Sequence, residues 1–183
     1  RAAGGTHPDE FTYFHLDGQT VVIEDYLALR PEREEELRRL IAAGRILVGP
    51  WYAQPDETLV SGEALIRMLL IGLEEADAYG GTMHVGYVPD IFGHLGQFPQ
   101  ILAGFGISYA LLGRGTNEET TDRYFLWEAP DGTRAITLKL RDWYGYGDFN
   151  MSVFGFEDLR VDEATFKERA KRYIDELRST TDQ

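Results

Sequence analysis

Short apolar runs alternate along this chain with longer segments in which apolar residues recur at helical spacing. The apolar runs predict strands, and they lie at 12–16, 20–23, 45–48, 83–88 and 109–112. Helices are predicted between and after them, at 33–43, from Ser61 onward, around 97–103 and at 163–178. This alternation favours a parallel sheet with helical crossovers, and hence an α/β fold that is either a barrel or an open doubly wound sheet.

The alternation changes after residue 112. Residues 125–128 and 135–140 are two apolar runs separated by Pro130-Asp131-Gly132. Proline, aspartate and glycine supply the backbone conformations of a tight turn, so this segment predicts a β-hairpin.

Composition narrows the class of protein. The chain has 183 residues, of which 43% are hydrophobic, and this is enough to bury the core of one domain. A formal net charge of -13 argues against a nucleic-acid partner, because phosphate binding requires clustered Lys and Arg. The absence of cysteine excludes disulfides and thiolate metal sites. No run of eighteen apolar residues and no signal-peptide pattern is found, so neither a membrane partner nor export is expected and a cytoplasmic location is predicted.

Asp90 is the first candidate for chemistry. Pro89 ends the predicted strand 83–88 and leaves Asp90 at its exit, where α/β proteins place catalytic groups. A carboxylate after a strand is also a common helix N-cap, and position alone does not decide between the two. Its surroundings favour a sugar pocket, since three aromatic residues, a glycine and a histidine lie within twelve residues of sequence: Tyr87, Phe92, Phe98, Gly93 and His94.

The segment Pro89-Asp90-Ile91-Phe92-Gly93-His94, followed by Pro99-Gln100-Ile101-Leu102, resembles the nucleophile signature of glycoside hydrolase family 38, the retaining α-mannosidases. Three further segments are similar to the same family in the same order. They are Phe14 to Gln19 with Ile23 to Leu27, Gly49 to Glu57 with Ser61 to Arg67, and Arg114-Gly115 with Phe125 to Gly132. The resemblance covers roughly residues 11–147.

The resemblance implies a fold and a set of roles. Residues 1–183 would be part of the catalytic domain, a seven-stranded (β/α) barrel. Asp90 would be the nucleophile and also a ligand of a divalent metal, most often Zn2+. Arg114 would hold the carboxylate of Asp90, and the substrate would be an α-mannoside oligosaccharide or a mannosyl conjugate.

Several aromatic residues are candidates for contact with the sugar. Phe92 matches an aromatic residue that lines the mannose site in the family, and Trp51 and Tyr144 have rings that can stack on a sugar face. Burial in the core is an equal alternative for each of them. For Arg114, an ordinary surface position is the less favoured alternative. The adjacent carboxylates Asp56 and Glu57 are expected to shape the site without supplying its acid, and His94 is expected to be structural.

Parts of the family pattern are missing. No His-x-His-x-Asp motif precedes Phe11, and in the family the second metal histidine and the acid/base carboxylate lie beyond the position of Gln183. The chain is therefore expected to be an interior piece of the barrel, inactive in isolation and, through its exposed edges, compatible with a homo-oligomer. A non-catalytic carbohydrate-binding domain is the alternative. A metal-dependent deacetylase is less favoured, because no His-x3-His pair is found.

Overall fold

The computed structural model of the protein describes residues 12–116, 121–140, 152–153 and 161–181. Its strands are β1 (Phe14–His15), β2 (Ile46–Leu47), β3 (Gly86–Val88), β4 (Tyr109–Leu112), β5 (Tyr124–Glu128) and β6 (Arg134–Lys139). Its helices are α1 (Val21–Leu29), α2 (Glu34–Ala42), α3 (Gly62–Tyr79), α4 (Phe98–Gly104) and α5 (Glu163–Thr181), with a 3-10 turn at Pro31–Arg33. None of the helices described is long and apolar enough to cross a membrane.

The strands form two sheets. β1 and β2 pair in parallel, and the larger sheet has the order β3-β4-β6-β5 with parallel pairing from β3 to β6. The main-chain N of Met83 donates to the carbonyl of Val48 over 2.8 Å, so the smaller sheet lies beside β3. The predicted α/β fold with parallel strands is confirmed, whereas a closed seven-stranded barrel is not established by the described residues.

Most predicted elements are present. β4 begins and ends at the predicted residues, and β5 and β6 form the predicted antiparallel hairpin. Asp131 supports its turn through a hydrogen bond of 3.0 Å from the main-chain N of Thr133 to its Oδ1. Ser61 is the N-cap of α3, and its Oγ accepts a hydrogen bond of 3.1 Å from Ala64 N.

The expectation of a strand at 20–23 is wrong, because α1 begins at Val21. An isolated β-bridge joins Gln19 to Trp51, and the main-chain N of Thr20 donates to the carbonyls of Trp51 and Tyr52. Strand pairing with the segment that follows β2 therefore ends at Thr20. Ile23 and Leu27 then pack on one small core as an i, i+4 pair of a helix. The β-branched run at the start of α1 concealed this spacing.

The larger core lies between the β3-β4-β6 sheet and the helices. Val88, Ala110, Leu112 and Ala135 point from the strands toward Leu65 and Leu69 of α3 and Phe98 and Leu102 of α4: these side chains form one buried cluster. Alternate residues point the other way, and there Tyr109, Leu126 and Ile136 are exposed. One face of the sheet is thus fixed by packing, and this anchors the carboxyl ends of β3 and β4.

Helix α3 also packs closely on the segment after β2. A Cβ on Gly72 would lie 2.3 Å from the carbonyl O of Pro50, a distance that no side chain tolerates. Leu65, Leu69, Gly72 and Ala76 share the buried face of this helix. Glycine is therefore needed for the contact that holds the loop 49–60 near the ends of the strands.

Candidate active site

Asp90 and Arg114 occupy equivalent positions at the ends of neighbouring strands. Val88 of β3 and Leu112 of β4 are partners in the parallel register, and Asp90 and Arg114 each lie two residues beyond them. The Asp90 side chain is 46% exposed, and a reactant can therefore reach it. Asp90 thus lies at the exit of its strand, as predicted, and the register places Arg114 at the same edge of the sheet.

The guanidinium of Arg114 folds back onto Asp90. Its Nη2 lies 2.6 Å from Oδ1 of the carboxylate, and its Nε and Nη2 donate hydrogen bonds of 3.2 and 2.7 Å to the main-chain carbonyl of Asp90. The close approach of the two loops depends on Gly113, since a Cβ there would lie 2.0 Å from the carbonyl O of Pro89. Arg114 therefore fixes the position of both the backbone and the carboxylate of Asp90.

Oδ1 of Asp90 is buried against the guanidinium of Arg114, 2.6 Å from its Nη2. The exposed part of the side chain is therefore not Oδ1, and a metal ion or another electrophile would approach the other carboxylate oxygen. Within the described part of the chain, no group of three or more His, Cys, Asp or Glu side chains is arranged to hold a metal.

A buried ion pair lies next to this arginine. Nδ1 of His94 is 2.9 Å from Oε1 of Glu57, and Nε2 of His94 is 2.8 Å from the main-chain carbonyl of Arg114. The Glu57 side chain is 0% exposed, and its Oε2 accepts a hydrogen bond of 2.8 Å from Leu95 N. Burial alone would lower the pKa of His94, but the hydrogen bonds to Glu57 and to the Arg114 carbonyl outweigh it and raise the pKa. Because both ring nitrogens face acceptors, the geometry favours the imidazolium form of His94, which donates from both.

The aromatic candidates have different surroundings. Phe92 is 62% exposed, and its ring centroid is 5.4 Å from Cζ of Arg114, so an apolar face is presented beside Asp90. Trp51 is 0% exposed, stacks on Phe98 with centroids 6.1 Å apart, and donates from Nε1 to the carbonyl of Tyr87 over 2.8 Å. This position corrects the expectation that Trp51 stacks on a sugar: its ring fills the core. Tyr144 lies outside the described residues.

A second polar group lies at the exit of β1. The rings of His15 and Tyr87 are 4.5 Å apart, and a hydrogen bond links Tyr87 to Asp17. Burial and the nearby Asp17 raise the pKa of Tyr87, and burial lowers the pKa of His15. Gln54 donates from Nε2 to the carbonyl of Asp17 over 2.7 Å, which joins the loop after β2 to this group.

Sequence reasoning did not predict the polar contacts of Tyr87 or the Glu57–His94 pair. For Tyr87 a signal was present, because alternation in β3 puts its side chain on the opposite face from Gly86 and Val88. The partners Glu57 and His94 are 37 residues apart, and no local pattern links them.

The carboxylate of Asp90 lies at the carboxyl ends of adjacent parallel strands, where α/β enzymes place catalytic groups. The model of the glycosyl hydrolases family 38 N-terminal domain matches residues 7–183, and the chain belongs to this family.

Named relatives agree with this assignment. The chain is 44% identical over 151 residues to a protein of Halalkalibacterium halodurans named "Putative mannosylglycerate hydrolase", a match that covers 75% of this chain and 17% of the relative. It is 32% identical to Alpha-mannosidase 2C1 of Mus musculus over 58% of this chain and 11% of the relative. The structure superposes on an α-mannosidase from Enterococcus faecalis V583 with a TM-score of 0.75 and 34% identity, over 90% of this chain and 18% of that one. The chain thus spans less than a fifth of the length of each of these relatives.

Proposed function

We propose that this chain carries the nucleophile of a retaining α-mannosidase, and that it is part of the catalytic domain of a longer polypeptide. The observation that carries the proposal is the placement of Asp90, accessible at the end of β3 and paired with Arg114. Membership of the family and relatives that are named hydrolases support an enzyme, and they give no support to a non-catalytic carbohydrate-binding domain.

Retention requires two displacements. An oxygen of the Asp90 carboxylate bonds to the anomeric carbon of mannose while the glycosidic C–O bond breaks, and a second carboxyl about 5 Å away protonates the leaving oxygen. The same carboxyl then takes a proton from a water molecule that attacks the anomeric carbon and releases Asp90. Arg114 keeps Asp90 oriented through both steps, because its guanidinium contacts both the carboxylate and the main-chain carbonyl of that residue.

The family is in general metal-dependent, and we propose Zn2+ as the metal. The Asp90 side chain is 46% exposed, and its carboxylate can fill one position in a ligand set. A bound divalent ion would supply Lewis acidity and oxygen coordination for the sugar hydroxyls. Asp90 is the one residue of this chain that we assign to that site.

For the substrate we propose an α-linked mannosyl group, with a mannosyl conjugate such as mannosylglycerate as the first compound to test. The name of the H. halodurans relative supports this choice. Phe92 would pack against the apolar face of the mannose ring beside Asp90. A cytoplasmic location and self-association stay predictions.

The test is made on the full-length protein that carries this chain. A 5-fluoro-mannosyl fluoride forms a slowly hydrolysed glycosyl-enzyme, and peptide mass spectrometry locates the adduct. We expect the label on Asp90, and we expect Asp90→Ala to lower kcat/KM for an aryl α-mannoside by at least about 10³-fold. Asp77→Asn, on the exposed face of α3, is the matched control and should leave activity unchanged. A label on another carboxylate, or more than about a tenth of wild-type activity in Asp90→Ala, would contradict the assignment.

A further inference from the structure

The buried Glu57–His94 pair connects three loops that follow β2, β3 and β4. We propose that Glu57 and His94 are positioning residues for the nucleophile, acting through the backbone of Arg114. This inference rests on the proposed function, since it assigns to the pair a role in glycosyl transfer to Asp90. Neither side chain is assigned contact with substrate.

The first link is between His94 and Arg114. Nε2 of His94 donates to the Arg114 carbonyl over 2.8 Å. The next residue, Gly115, has φ +85°, and a Cβ there would lie 2.6 Å from Cδ2 of His94. The imidazolium therefore packs directly on the backbone that carries the arginine, and a displacement of the ring must displace this backbone.

The second link holds the imidazolium itself. Glu57 uses one carboxylate oxygen for Nδ1 of His94 and the other for Leu95 N, so it fixes both the ring and the loop that follows Asp90. The ring also contacts Trp127, with centroids 5.4 Å apart in an edge-on arrangement. The two hydrogen bonds and this aromatic contact together restrain the orientation of the His94 ring.

The third link is from Arg114 to Asp90. The guanidinium holds the carbonyl and the carboxylate of Asp90 with contacts of 2.6 to 3.2 Å. The chain of contacts is therefore Glu57, His94, Arg114, Asp90, and no step in it is longer than 3.2 Å. A buried ion pair is in general no more stabilising than a well-packed apolar pair, so stability alone does not account for charges at this place.

Two substitutions of His94 separate positioning from stability. His94→Asn keeps a donor near Nδ1 for Glu57 and removes the donor to Arg114, whereas His94→Gln keeps a donor near Nε2 and leaves Glu57 without its partner. We expect His94→Asn to slow inactivation by 5-fluoro-mannosyl fluoride about 10-fold to 100-fold, with KM for an aryl α-mannoside changed less than about threefold. His94→Gln should have a lower Tm than His94→Asn but a faster inactivation rate per folded molecule.

A double-mutant cycle tests whether the effect passes through the arginine. Glu57→Gln should slow inactivation about 10-fold in the wild-type background and less than about twofold in an Arg114→Gln background. Glu75→Gln, which changes a partly buried carboxylate of α3 outside this chain of contacts, is the control and should leave the rate unchanged. If Glu57→Gln folds poorly, the comparison of His94→Asn with His94→Gln still tests the positioning role.

The outcomes separate this inference from the proposed function. A wild-type protein that is not labelled on Asp90 contradicts the proposed function. Labelling of Asp90 in the wild type, with His94→Asn and Glu57→Gln inactivated at the wild-type rate, contradicts only the positioning role. Losses that are additive with Arg114→Gln contradict it too, because they would show a route that bypasses the arginine.

Discussion

Replacing Arg114 by Lys tests how the nucleophile is held, because it keeps the charge and removes the planar fork. The guanidinium contacts the Asp90 carbonyl at 3.2 and 2.7 Å and Oδ1 at 2.6 Å, using two nitrogens. An ammonium group has one nitrogen on a flexible stem and cannot reproduce these contacts together. We therefore expect Arg114→Lys to keep a positive charge beside the carboxylate and to lose the orientation of the carboxylate.

The size of the effect follows from the two hydrogen bonds that the guanidinium donates to the Asp90 carbonyl. Each of them contributes about 0.5–1.5 kcal/mol, so removing both costs about 1–3 kcal/mol. The charge interaction adds little to this difference, because Lys keeps the charge and because the two side chains are 27% and 46% exposed to solvent, which screens them. If the whole cost appears in the transition state, kcat/KM falls about 5-fold to 150-fold.

The assay compares kcat and KM for an aryl α-mannoside in the full-length protein and its variants. Arg67→Lys is the control, since Arg67 pairs with Glu63 on the exposed surface of α3 and a surface pair contributes little. We expect Arg67→Lys to be indistinguishable from wild type. Unchanged kcat and KM in Arg114→Lys would refute the orienting role and leave Arg114 as an ordinary surface residue.

Three further predictions concern the surroundings of the site. Gly113→Ala should lower Tm and activity, because its Cβ would lie 2.0 Å from the Pro89 carbonyl O. The control is Gly104→Ala, whose Cβ would meet no atom within 4 Å and which should change neither quantity. Equal Tm values for the two variants would contradict this prediction. The raised pKa of His94 means that the pair contributes stability that is fully present below the ordinary value of 6.5 and is lost as pH rises through the folded-state value. The Tm of wild type should therefore fall more steeply than that of Glu57→Gln above about pH 6.5, and parallel curves would count against an imidazolium at this position. Trp51→Phe should destabilise the fold by about 1–3 kcal/mol in denaturant unfolding, because the Tyr87 carbonyl loses its donor, and it should leave KM unchanged. Phe92→Ala should instead raise KM. A raised KM in Trp51→Phe and an unchanged KM in Phe92→Ala would mean that Trp51 is the sugar contact.

Local patterns were sufficient to predict most of the elements and the place of Asp90. The apolar run before Pro89, the serine before α3 and the Pro-Asp-Gly turn each act over a few residues, and each specifies its element in the structure. The parallel register then brings Arg114 beside Asp90 without any further information from the sequence.

Long-range contacts could not be predicted in this way. Whether Trp51 faces a pocket or the core depends on Phe98 and the Tyr87 carbonyl, which are 47 and 36 residues away in sequence. The charge of His94 depends on Glu57 across another loop. The start of α1 could not be predicted for a related reason. The β-branched residues at 20–23 favour a strand, but strand pairing ends at Thr20, whose main-chain N donates to the carbonyls of Trp51 and Tyr52.

The tripeptide Gly113-Arg114-Gly115 shows how backbone packing and charge act together at this site. Gly113 lets the chain pass within contact of the Pro89 carbonyl, and Gly115, at φ +85°, lets it pass against the His94 ring. The main chain on both sides of Arg114 is therefore held in place independently of the contacts that the Arg114 side chain makes. With the backbone fixed, the ordering of the guanidinium on Asp90 costs only the conformational entropy of the side chain. A nucleophile that must stay oriented through two displacements gains from an arginine restrained in this way, because a freely moving cation would neutralise the carboxylate without fixing its direction.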